Sequence, residues 1–151
     1  MVRVEFVNLF FAGILAGLEI SIHYGLHAPT ATLDEKPQIV LRQGLVRRLR
    51  WLVPAFFLPT ALLGIVATIT DGSMPGMYSR VAGLFAIIVW VFVRIVGTVR
   101  INSATLDWNP SAPPTDWREQ IRRVERFHIV GTWAAILAFV FFLTAVAQRL
   151  G

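Results

Sequence analysis

Residues 128–147 read HIVGTWAAILAFVFFLTAVA. The run contains no Asp, Glu, Lys or Arg, and it has the length an α-helix needs to cross about 30 Å of hydrocarbon. A helix at the surface of a soluble domain carries one apolar stripe. Here every face is apolar apart from His128 at its start and two threonines, so the helix requires lipid or other apolar helices on all sides. That requirement sets the class of the fold.

Three further stretches meet the same criterion: about 4–26, 51–70 and 80–98. Helices are the form in which such runs satisfy their backbone in lipid. The chain therefore reads as all-α, an integral membrane four-helix bundle forming a single domain over 1–151. Its 56% hydrophobic content exceeds the 45–50% usual for soluble domains, and its mean hydropathy is +0.64. With no cysteine, disulfide frameworks and thiolate metal sites are excluded. The net charge of +5 is spread without a basic tract, which argues for membrane topology and against nucleic-acid binding. Glu5, Asn8 and Glu19 interrupt the first run and no small-x-small site follows it. It reads as a retained membrane helix and not as a signal peptide.

The connections are unequal. The 71–79 segment, with Gly72, Pro75 and Gly76, is a short turn. Pro54 and Pro59 should kink the second span or make its first turns irregular. Between spans one and two, 37–50 alternates Ile39, Val40, Leu41, Leu45, Val46 and Leu49 with Arg42, Arg47, Arg48 and Arg50. The pattern predicts an amphipathic helix, with proline at its start, lying on the membrane surface. Between spans three and four, the breakers Asn109, Pro110, Pro113 and Pro114 precede Thr115 and Asp116, either of which can cap a helix running into span four. This helix would be a cytoplasmic extension rich in arginine.

Both long connections lie on one side of a four-span chain. They carry Lys36, Arg42, Arg47, Arg48, Arg50, Arg100, Arg118, Arg122, Arg123 and Arg126, against Arg3, Arg80 and Arg149 on the other side. The positive-inside rule then predicts a multi-pass protein of the inner (cytoplasmic) membrane with both termini outside.

Three histidines are all the chain has, and each falls at the end of an apolar run near the cytoplasmic face. Glu19, His23 and His27 follow at four-residue steps in span one and share a helix row. Glu125 and His128 are three apart at the start of span four. Glu-x-x-His on facing helices can hold iron or copper in a bundle core, which makes Glu19, His23, His27, Glu125 and His128 a candidate ligand set. The same groups suit proton handling or simple anchoring at the interface. Arg94, within span three, is the natural partner of Glu19, and their pairing would be a structural reading of both. Asn102 can hydrogen-bond a carbonyl or phenol, or cap the third span. Trp108 and Trp117 suit the wall or lid of an aromatic pocket, or the interfacial belt. Gly13 and Gly17 form a close-packing face compatible with a homo-oligomer.

The run Arg100-Ile101-Asn102, then Asp107-Trp108-Asn109-Pro110, Asp116-Trp117-Arg118 and Arg123-Val124-Glu125-Arg126-Phe127-His128 resembles the anthrone oxygenase-like family of small four-helix membrane proteins. The Ala12-Gly13 start and His27-Ala28-Pro29 resemble the family's first span. Gly131 stands where such proteins often carry arginine. The resemblance implies oxidation of an anthrone-like compound by dioxygen without an added cofactor.

Together these readings lead to a membrane-embedded oxygenase or oxidase acting on a lipophilic aromatic or phenolic substrate that enters from the bilayer. His128 would be the base, with Glu125 setting its tautomer. Asn102 and Arg126 would stabilise the oxyanion, and His27, with His23, would assist proton transfer. Either no cofactor is needed or a transition metal, iron or copper, is bound by the Glu/His set; haem ranks behind both. The alternative is a non-catalytic membrane protein that binds a metal, haem or quinone.

Overall fold

The structure, a computed structural model, describes residues 2–71 and 75–151. Gly72 of the expected turn lies outside the described residues. Helix α1 (Val2–Ile20) passes through a π-helical turn (Ser21–Leu26) into the short α2 (His27–Ala31). Helix α3 spans Glu35–Thr70. Helix α4 (Met77–Val93) passes through a second π-helical turn (Arg94–Val99) into α5 (Arg100–Thr105), and α6 spans Trp117–Leu150. These segments make four helical rods long and apolar enough to cross a membrane.

The helix expected over 37–50 is present but does not stand apart. It is the first half of α3, which runs unbroken for 36 residues, about 54 Å at 1.5 Å per residue. The cause is periodicity: Ile39, Val46, Leu49 and Val53 recur at steps of seven, three and four residues, so one apolar stripe crosses from the arginine-rich half into the span. Pro37 sits in the first turn, where its missing N–H costs no helical bond. Pro54 and Pro59 lie inside the helix without ending it. Each removes the donor for a carbonyl four residues earlier, those of Arg50 and Ala55. The 34-residue α6 likewise absorbs its arginine-rich extension, beginning after Asp116 as expected.

Helices α1, α4 and α6 form the tight core. Ala12 and Leu15 meet Ala86, Ile87 and Trp90, and Ala134, Ala135, Ala138 and Phe142. Small residues on α6 let its neighbours approach closely. Gly83 is needed at this seam, since a Cβ there would fall 2.8 Å from the Phe142 ring. Helix α3 is the most peripheral rod, and its partly buried Val53, Phe56 and Phe57 pack against the core. It packs closely on α1 and much less on α4, so the α3/α4 seam is the loose side of the bundle.

Each end of the bundle is fastened differently. At the end bearing the termini, Arg80 bonds Glu5 at 2.9 Å and the Asp71 carbonyl at 2.9 Å, and Arg149 reaches both Glu5 (2.9 Å) and Asp71. One group from each rod therefore enters a network whose centre, Arg80, is 1% exposed. At the other end, Trp108 and Trp117 pack with Ile39 and Ile121 into a second small core. Gln43 bonds the carbonyls of Thr105 (3.0 Å) and Trp108 (2.9 Å), and the Trp117 indole donates to Glu35 at 3.1 Å. These tryptophans clamp α3 to α6 and line neither of the cavities described below, so they are neither wall nor lid.

Candidate functional site

Both π-helical turns lie beside the α6 segment that begins at His128. A π turn holds an extra residue per turn, which widens the helix and turns carbonyls away from their usual donors. Hydroxyls compensate: Ser21 donates to the Gly17 carbonyl (2.8 Å) and Thr98 to that of Arg94 (3.0 Å). The second turn also brings Gly97 against Phe127 of α6, where a Cβ would fall 2.1 Å from the ring.

The three imidazoles gather here. His23 lies between the other two, its ring 6.2 Å from His27 and 5.8 Å from His128, with planes within 7° and 11° of parallel. His27 Nδ1 contacts Glu125 Oε1 at 2.9 Å. The expected partnership of Glu125 with His128 is thus replaced by one across helices, because the π turn carries His27 to the α6 face that bears Glu125. His128 Nδ1 instead faces the Thr132 hydroxyl at 3.4 Å and Glu19 Oε2 at 3.8 Å.

Glu19 is fully buried and forms an ion pair with Arg94, as the sequence suggested. A carboxylate removed from water needs such a partner. Trp90 and Thr132 flank the same carboxylate, and the Arg94 guanidinium lies 5.3 Å from the Trp90 ring centre. Position 131 also opens toward Arg94: a Cβ on Gly131 would lie 3.7 Å from its Nε.

Two cavities meet at His128. The larger, about 480 Å³, fills the loose α3/α4 seam. Leu49, Val53, Phe57, Trp90 and Leu106 make it apolar, and Ile95 and Val99 stand at its exposed rim. Its polar groups are few: His128, Arg94, Thr98, Asn102, Ser103 and Arg50. The smaller, about 90 Å³, is lined by His23, His27, Gln38, Arg42, Glu125 and His128 among others. Asn102 accepts a hydrogen bond from Arg42 at 2.9 Å, which ties the wall of one cavity to that of the other.

No protein-family model, curated protein or solved structure matches this chain.

The sequence-predicted residues Asn102, Glu125, His27, His23 and His128 therefore converge, whereas Arg126 does not. It is exposed on α6 and lines neither cavity, since a residue next to Glu125 is turned about 100° away from it. Arg94 lines the larger cavity instead, and Arg42 the smaller. The ligand set also comes out differently. Among the described residues no three His, Asp or Glu side chains group as a metal would require. Glu19 is committed to Arg94, Glu125 to His27, and near-parallel rings send their in-plane lone pairs along separate planes. Arg42 was legible as more than a surface charge, since it lies on the stripe of Ile39, Val46 and Leu49, unlike Arg47 and Arg48.

Proposed function

We propose that the protein is a membrane-embedded oxygenase that oxidises a lipophilic aromatic or phenolic compound with dioxygen, drawing its substrate from the bilayer through the α3/α4 seam. The observation that carries this reading is the apolar cavity of about 480 Å³ that ends on His128 and Arg94. Ligand sites have this character, largely apolar with a few convergent polar groups. A three- to four-ring aromatic fits that volume class, and the resemblance in sequence points to the same chemistry.

In this mechanism neutral His128 takes a proton from an activated CH₂ beside a ring carbonyl, leaving the electron pair on the substrate. Arg94 and the Asn102 amide N–H groups face the resulting oxyanion. Thr132 and Glu19 orient the imidazole from its Nδ1 side. The electron-rich carbanion reduces dioxygen and forms a C–O bond. Loss of the second C–H proton with cleavage of the O–O bond leaves a new carbonyl. The balance is CH₂ plus O₂ giving C=O plus H₂O, with no other oxidant or reductant.

Oxygen uptake by the detergent-purified protein with anthrone tests the proposal, with anthraquinone, which has no acidic CH₂, as the control. Uptake with anthrone alone, falling about 100-fold or more in His128→Ala, is the expected result. Saturable anthrone binding without uptake would return the protein to a non-catalytic binding role.

A further inference from the structure

We propose that His23, His27 and Glu125 form a proton path joining His128 to water, on the side of His128 opposite the lipophilic cavity. The origin of the protons rests on the oxygenase reading; the path itself rests on the geometry. His128 is the titratable residue that lines both cavities, and Ile22 is its apolar companion there. The larger cavity cannot carry a proton away, because its walls are apolar and the substrate would fill it. An outlet on the other side lets His128 shed the first proton while the carbanion meets dioxygen, and recover it for the reduced oxygen.

The smaller cavity supplies that outlet. Side-chain exposure rises from 12% at His128 to 25% at Glu125 and 40% at His27. Ring centres 5.8 and 6.2 Å apart leave gaps that a water can bridge, and about 90 Å³ is room for several waters. The His27–Glu125 contact at 2.9 Å is short enough to pass a proton directly and to hold one. The charged groups around the path have other roles. Arg42 and Arg122 lie near Glu125, and Arg42 is bonded to Asn102, forming the partition between the cavities. Arg94 and Glu19 are paired with each other beside His128.

When the substrate C–H bond breaks, its proton passes to His128. The imidazolium releases it to water in the small cavity, and the His27–Glu125 pair takes it up. Two protons leave carbon in each turnover, and both return along the same path as reduced oxygen departs as water.

Full-length protein in nanodiscs tests the path with three variants: His27→Gln, Glu125→Gln, and His23→Phe, which keeps the ring stack but has no titratable nitrogen. One readout is oxygen uptake with anthrone. The other is nitrogen NMR of ring-labelled histidine, which reports exchange of the His128 ring proton with water independently of turnover. Each variant should slow both rates about ten-fold, and imidazole in the buffer should restore much of the uptake lost in His27→Gln. Exchange at the wild-type rate in all three variants overturns the path, whether uptake is normal or is slowed without rescue by imidazole. A wild-type protein that takes up no oxygen removes the oxygenase reading, and the exchange rates alone then decide the path.

Discussion

A single buried carboxylate explains much of how this site is held. Glu19 has no access to solvent, so its charge depends on Arg94. Arg94→Met should destabilise the protein by on the order of 3–5 kcal/mol, the cost of stranding one member of a buried pair. The double variant Glu19→Gln/Arg94→Met should recover most of that loss, and thermal unfolding in detergent checks both. The pair could be read from the sequence because Glu19 and Arg94 are charges set inside their spans, with Glu5 and Arg80 at the span ends, and neither tolerates isolation in lipid. The partner of Glu125 could not. Helical spacing offers His128 three residues on, while the actual contact, His27, arrives from another rod. Local periodicity carries no information about such meetings. Arg126 was misplaced for a related reason: charge and proximity in sequence suggested a role that the turn of the helix denies it.

At the scale of elements, the π-helical turns do the positioning. One brings His23 and His27 toward α6, and the other brings Gly97 under Phe127. Gly97→Ala would require Phe127 to move, at a cost of about 1–3 kcal/mol for an overpacked contact. The double variant Gly97→Ala/Phe127→Ala should be less destabilised than the sum of its two single changes. Chemical denaturation of the four proteins in mixed micelles measures this. No residue pattern in Ser21–Leu26 or Arg94–Val99 announces a π turn, because the choice between four and five residues per hydrogen-bonded ring is settled by what the neighbouring helix can accept. The long helices posed the opposite problem. Arginines at 42–50 suggested a separate surface helix, yet the apolar stripe beneath them runs on through Leu49 and Val53 within the one helix α3. Hydropathy located the apolar part of each rod, while the stripe located its true length.

For the molecule as a whole, four rods and the distribution of arginine place the 32–34 and 106–116 connections on one side and both termini on the other. The chain has no cysteine, so single replacements give clean labels. The positive-inside rule predicts both termini outside; on that expectation Gly151→Cys should react with an impermeant maleimide in intact cells, whereas Asp34→Cys and Ser111→Cys should react only after permeabilisation. The reverse pattern would invert the topology. This architecture was the most legible part of the sequence, since lipid imposes length and apolarity on every spanning helix. The cavity was the least legible, because it arises where α3 fails to close against α4, and an absence of packing leaves no pattern along one chain. An entrance on that flank has a kinetic signature. A ligand arriving sideways is sampled at its density within the bilayer, so diluting the proteoliposomes with empty vesicles at constant total ligand should lower the rate, while constant ligand per lipid should preserve it. The half-saturating dose would then be a property of the membrane's composition per lipid molecule and not of the volume of the tube.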